Sequence, residues 1–220
     1  MHSANAWPRR VGWIHTLGAI GAILVPLGLL FGFFTSDDSG DTGAELIAYA
    51  KESSTDLWLM QIIALVTPLL IGAFVASLRV RLRAANEAYQ ALTVIGGTLF
   101  IAFFCVGLTL WAAPLLSSDE LTNAGAEAYL AFDDVGWVLI GMGGISIGAM
   151  IIGVSLAALD LGLVSKWAGW VSLLLGVLSL ATIAAVGLFA WSVWLIAAGA
   201  FLLFRRDRVV PTAEGPGVAA

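Results

Sequence analysis

The stretch from Trp167 to Phe204 reads WAGWVSLLLGVLSLATIAAVGLFAWSVWLIAAGAFLLF, 38 residues without a charge. As one helix rising 1.5 Å per residue it would measure about 57 Å, nearly twice the roughly 30 Å of a bilayer's hydrocarbon core. A run this apolar calls for lipid as its solvent, and its length calls for one fold-back, expected near Gly187 to Trp191. Four further runs, each long enough for one crossing, precede it. They place spans at about 11–34, 57–78, 91–116, 135–159, 167–186 and 190–204. The fold class that follows is all-α, a polytopic bundle of six transmembrane helices. Residues 1–10 are expected as a cytoplasmic tail, 11–208 as the membrane domain and 209–220 as a disordered cytoplasmic tail.

Composition agrees with this reading. Over 220 residues the chain is 60% hydrophobic and 11% charged, against about 45–50% and about 25% in a typical globular protein. The 25 Asp, Glu, Lys and Arg residues are too few to cover a water-soluble domain of this size. The first apolar run, Val11 to Phe34, is 24 residues long and exceeds the roughly 7–15 apolar residues of a cleavable signal. It is expected to be retained. One cysteine, Cys105, lies inside an apolar run, which leaves no intramolecular disulfide and no cysteine-rich metal site. Nothing in the charge pattern favours nucleic-acid binding, and no cofactor is expected.

Lysine and arginine concentrate in cytoplasmic loops, whereas acidic residues carry little topological weight. In the six-span arrangement Arg9, Arg10, Arg79, Arg81, Arg83, Lys166, Arg205, Arg206 and Arg208 fall on one side and Lys51 alone on the other. Both termini are therefore expected inside, in a multi-pass protein of the cell membrane. Five or seven spans would put the three C-terminal arginines outside, against the rule the other loops obey. The opposite loops, 35–56 and 117–134, hold eleven of the fifteen acidic residues. Tryptophans favour the headgroup level: Trp7, Trp13, Trp167 and Trp170 are expected at the inner interface, and Trp58, Trp111, Trp137, Trp191 and Trp194 at the outer one.

The two acidic loops resemble each other. Ser36-Asp37-Asp38 and Gly43-Ala44-Glu45 recur as Ser118-Asp119-Glu120 and Gly125-Ala126-Glu127 at an offset of 82 residues, with Tyr49 and Tyr129 following. This reads as a parallel duplication of a helical hairpin; shared loop composition is the competing explanation. In the first loop, Thr42 and Glu45 have the spacing of a capping box ahead of Leu46, Ile47 and Ala50, which predicts a short amphipathic helix.

With Ala44-Glu45-Leu46-Ile47-Ala48 before Leu57-Trp58, the basic turn Arg79 to Arg83, and Leu163-Val164-Ser165-Lys166-Trp167 opening span five, the organisation resembles a broad group of actinobacterial six-span membrane proteins classed as domains of unknown function. The resemblance covers nearly the whole chain. It implies a fold and no activity, and it transfers no site residues.

Four polar positions stand out. Ser146 lies in Gly144-Ile145-Ser146-Ile147-Gly148, a formal match to the nucleophile elbow G-x-S-x-G, which requires a strand-to-helix turn and a base. Here the string is expected inside a helix, with His15 about 7 Å away in depth. The competing reading is helix packing, because Gly141, Gly144, Gly148 and Ser155 share one helical face and Ala149, Gly153 and Ala157 the next, and small residues let backbones approach closely in lipid. His15 in span one suggests a proton or ligand role by default, or a neutral imidazole bonded to a neighbouring helix or reaching the headgroups. Asp160 either pairs with His15 or is solvated near Lys166, and Gln61 either lines a cavity or bonds across helices. Pro26 and Pro68 free the carbonyls of Ala22 and Ala64, and Thr67 is expected to help satisfy the latter.

Three function classes remain, in this order: a scaffold or accessory protein, a small-solute transporter or channel, and an intramembrane enzyme. The partners expected are the bilayer itself and either another membrane protein or a second copy meeting the glycine-rich span four.

Overall fold

The computed structural model describes residues 7–35, 42–112, 122–181 and 185–204. All regular structure among them is helical: α1 (Trp7–Thr35), α2 (Gly43–Glu52), α3 (Ser54–Arg81), α4 (Glu87–Ala112), α5 (Asn123–Asp160), α6 (Lys166–Ser179) and α7 (Ala185–Phe204). Five of these, α1, α3, α4, α5 and α7, are long and apolar enough to cross a membrane, and α6 is a shorter apolar helix. The fold is that of a multi-pass membrane protein.

The helices pack as a closed ring. α1 lies against α3, α3 against α4, α4 against α5, α5 against α6, α6 against α7, and α7 back against α1, with a further contact between α5 and α7. The most extensive of these is α4 with α5, and glycine makes it possible. A Cβ on Gly96 would lie 2.6 Å from the Met150 backbone nitrogen, one on Gly107 2.8 Å from the Gly136 carbonyl oxygen, and one on Gly153 2.9 Å from the Tyr89 carbonyl oxygen. The α1–α3 seam is built alike, with Gly18 against the Phe74 backbone and Gly21 against Leu70. In lipid no hydrophobic force drives helices together, so close backbone approach and the dispersion contacts it brings hold such seams.

Inside the ring sits a cluster of large apolar side chains. Phe100 and Phe104 stack with centroids 4.9 Å apart, Trp191 meets Phe100 edge-on at 5.6 Å, and Trp194 meets Phe74 at 6.2 Å. Ile147, Met150 and Ile151 of α5 complete the cluster and are fully buried. Outward, the helices present Ile20, Leu24 and Leu27, Leu65 and Leu69, Val138 and Met142, all exposed and suited to acyl chains.

Local chemistry sets several helix ends. The expected capping box forms: the Thr42 amide donates to Glu45 Oε2 at 3.1 Å and the Glu45 amide to Thr42 Oγ1 at 3.3 Å. α2 then buries Leu46, Tyr49 and Ala50 against Leu57 and Ala126, forming a small cap on α5 and α3. α5 closes with a Schellman motif, in which Gly162 takes φ +63°, its amide donates to Leu159 O at 3.2 Å and the Leu163 amide to Ala158 O at 2.9 Å. In the basic turn, Gln90 Nε2 donates to Ala85 O at 2.8 Å and the Ala88 amide to Asn86 Oδ1 at 2.9 Å.

Several boundaries differ from the sequence reading. α7 covers Ala185–Phe204, so Gly187 to Trp191, where the fold-back was expected, lie within a helix. α5 starts at Asn123, with Thr122 Oγ1 accepting from the Gly125 amide at 3.2 Å; twelve residues expected in a loop, 123–134, are helical. Residues 7–10, placed in the expected tail, are already helical in α1. Trp191 and Trp194 are only 1% and 6% exposed and belong to the core, not to the interface. Residues 113–116 of span three, the tail 209–220, and Ser36–Asp38 and Ser118–Glu120 of the loop repeat lie outside the described residues.

Candidate functional site

A transporter or enzyme of this architecture needs polar groups converging in the bundle interior. On α7 the buried Trp191 Nε1 and Ser192 Oγ have no hydrogen-bond partner. Ser146 is 8% exposed and donates to the Met142 carbonyl of its own helix at 2.9 Å. The helix is continuous through Gly144–Gly148, so there is no strand-to-helix turn to present the hydroxyl. Among the described residues the one histidine, His15, sits on α1 against α3 and α7, while α5 packs chiefly on α4 and α6. The nucleophile elbow is a coincidence of spelling.

The small residues around Ser146 are spent on packing within the chain. Gly143 and Gly153 face α4, and Gly148 faces Gly176 O and Leu180 at 2.9 Å on α6. Gly141 and Gly144 are buried as well.

His15 is half-buried on α1, and its Nδ1 atom has no hydrogen-bond partner. Asp160 is exposed at the end of α5 and is not joined to it. Gln61, half-buried on α3, has a buried Oε1 without a partner. The four polar positions singled out in the sequence are therefore not brought together into one site. Thr67 is fully buried, and its hydroxyl donates to Ile63 O at 2.7 Å, one residue before the Ala64 carbonyl that Pro68 frees. Among the described residues no group of three or more His, Cys, Asp or Glu is arranged to hold a metal ion.

Two polar groupings emerge that the sequence did not mark. The first joins three helices: Ser155 of α5 shares a hydrogen bond with Ser172 of α6 at 2.5 Å, and Trp194 Nε1 of α7 donates to the same Ser172 oxygen at 2.6 Å. Ser155 also donates to Ile151 O at 2.7 Å. This seam fixes the α6–α7 pair on α5 and satisfies a buried indole. The second lies where α1 meets α3 near the basic turn. Ser77, fully buried, has an Oγ without a partner, and Arg81, four residues on, is half-buried and close enough for its charge to act on His15. The i, i+4 spacing of Ser77 and Arg81 is the signal that was available, but only the helix pairing sets that stretch of α3 level with His15.

No known protein family, curated protein or solved structure matches this chain.

Proposed function

We propose that this chain is an integral membrane scaffold or accessory subunit of the cell membrane, built from six crossings with both termini on the basic side. The observation that carries the reading is the interior. Where the helices converge, Phe74, Phe100, Phe104, Trp191, Trp194 and Met150 pack together; Ser146, Ser155 and Ser179 are bonded to their own helices, and the unpartnered Trp191 Nε1 and Ser192 Oγ are isolated from any charged group of the core. A conduit needs an aqueous path lined by polar groups, and a catalyst needs groups held within bonding reach of one another. A solid aromatic core supports neither.

The crossing count rests on helix directions. α5 ends near the basic turn, since Gly153 lies against Tyr89 and Thr93 at the start of α4. α7 heads toward that same end: Trp191 lies against Phe104 and Phe100, Trp194 against Phe74, and Gly199 against Ala19. The chain between them has to return to the acidic side. At 14 residues α6 spans about 21 Å, most of a hydrocarbon core of about 30 Å. This direction supports six crossings and places Arg205, Arg206 and Arg208 with the other basic residues. The likeness to actinobacterial six-span proteins belongs to the same proposal.

The test is solvent accessibility. In a Cys105→Ser background, Ser146→Cys and Thr67→Cys are expected to resist a membrane-impermeant thiol reagent from both sides of intact vesicles. Labelling of either from either side would reveal a water path and replace the scaffold reading with the transporter one.

A further inference from the structure

We propose that the α1–α3 face at the basic end of the bundle, around Arg81 and next to the level of His15 and Ser77, holds the phosphate of an anionic lipid headgroup.

The helix pairing sets the geometry. Gly28 lies against Ile63, Gly21 against Leu70 and Gly18 against Phe74, so the two helices run antiparallel in a constant register over more than two turns. One turn further toward the basic end, that register brings His15 level with Ser77. Arg81 follows one turn later on the same face of α3. Its guanidinium makes no ion pair or hydrogen bond with any described residue, although half of the residue is buried. His15 Nδ1 and Ser77 Oγ, both buried atoms, are likewise unbonded. A half-buried cation whose charge reaches His15, with no ion pair to a carboxylate among the described residues, lacks its counter-charge. A guanidinium fork is the donor from which phosphate oxygens accept in bidentate fashion, while the unbonded Ser77 Oγ and His15 Nδ1 are buried within the seam behind it.

The surroundings favour a lipid over a dissolved anion. Trp13, two residues from His15, is 61% exposed, and Val80, beside Arg81, is 50% exposed, so the seam opens onto the surface that faces lipid. Tryptophan at this level marks the headgroup layer. Arg79 and Arg83 flank Arg81 and are exposed, which raises the local concentration of anionic lipid through charge alone. The turn that carries them is held by the Gln90 bond to Ala85 O, so the three arginines sit on a fixed frame.

The full-length chain in nanodiscs provides the test, with tryptophan-monitored thermal unfolding and native mass spectrometry as paired readouts. Phosphatidylglycerol mixed into phosphatidylcholine is expected to raise the unfolding temperature and to remain bound through desolvation. Arg81→Gln should abolish the temperature shift and weaken retention about tenfold, the loss of one charged hydrogen-bonded pair, while Lys166→Gln, an exposed cation elsewhere at the basic end, should retain both. An unchanged shift in Arg81→Gln, or an equal loss in Lys166→Gln, overturns the site in favour of diffuse surface charge. An equal shift from inorganic phosphate in phosphatidylcholine alone overturns the lipid assignment. Should Arg81→Gln fail to insert, Arg81→Lys keeps the charge and loses the fork; it is expected to weaken retention, and retention equal to the native chain overturns the proposal.

Discussion

Replacing Gly96 by alanine is expected to destabilise the bundle although alanine is the better helix former. Gly96 faces α5 at the tightest point of the most extensive helix pair. An added Cβ would lie 2.6 Å from the Met150 nitrogen and 2.7 Å from the Ser146 carbonyl oxygen, both backbone atoms of a continuous helix. No rotamer change relieves such a contact. To reach ordinary separation the helices have to part by about 0.8 Å, and the same movement loosens Gly107 on Gly136 and Gly153 on Thr93. Overpacking of this kind costs about 1–3 kcal/mol, and the gain in helix propensity returns at most about 1 kcal/mol. With the full propensity gain the net loss is about 0–2 kcal/mol, and relative to an unhindered glycine-to-alanine exchange the deficit is the whole overpacking cost of about 1–3 kcal/mol.

Gly72 supplies the control. It lies inside α3, and an added Cβ would meet nothing within 4 Å. Gly72→Ala should be neutral or up to about 1 kcal/mol stabilising from propensity alone. Reversible unfolding of the two variants in mixed micelles, followed by far-ultraviolet circular dichroism, puts the opposite signs side by side. If Gly96→Ala proves no less stable than Gly72→Ala, close backbone approach is not what holds α4 to α5 and the account of the ring's main seam fails.

Two other contacts give separable outcomes. Ser172→Ala removes the acceptor of Trp194 Nε1 and the partner of Ser155 at once; interhelical hydrogen bonds in bundles average about 0.6 kcal/mol and leaving the indole unpaired adds to that, so a loss of about 1–2 kcal/mol with a shifted tryptophan emission is expected, and unaltered emission would count against the seam. Thr42→Ala removes a cap contributing about 1 kcal/mol to α2, and should speed amide exchange over residues 43–47 while leaving exchange in α4 and α5 unchanged; slow exchange at the start of α2 would mean that burial of Leu46 and Tyr49, not the capping box, sets that helix.

What the sequence made legible has a common physical origin. A crossing needs about 20 apolar residues in a row, a property of contiguous sequence, so α1, α3 and α4 were found to within a few residues. The capping box is equally local, two side chains three residues apart. The extension of α5 was hidden because Glu127, Asp133 and Asp134 read as loop, while the contacts that make the stretch helical, Gly43 on Asn123 and Leu46 beside Ala126, come from about 80 residues earlier. Trp191 and Trp194 misled for a related reason. Depth along a helix is legible in sequence, but which side faces lipid is not, and α7 turns that side toward Phe74 and Phe104. Of the polar positions, His15 was visible by its type alone. Its neighbours Ser77 and Arg81 emerged only from the α1–α3 register.

The loop repeat gains a different meaning from the helix pairing. α2 and α5 start 80 residues apart, at Gly43 and Asn123, each behind a threonine cap, and the stretch that forms α2 and α3 in the first half forms the single helix α5 in the second. The seams do not recur in the same way. Gly18 faces Phe74, so an offset of 80 would set Thr98 opposite Val154, yet Gly153 faces Thr93 and Tyr89. The second hairpin is therefore slid by about seven residues, or about 10 Å along the helix axis. Such a slide follows from the break at Ser53: ending α2 there frees it to lie as a separate element across α5, whereas α5 runs on unbroken through Asp133. What recurs between the halves is the place at which the chain re-enters a helix on the acidic side, marked by Thr42 and Thr122 as caps; the packing below is set independently, by where each half puts its glycines. A Ser53→Ala or Ser53→Leu exchange, which favours helix across the break, would pull α2 into line with α3 at the expense of the contacts Leu46 and Tyr49 make with Ala126, and so couples the cap to the register of the first hairpin.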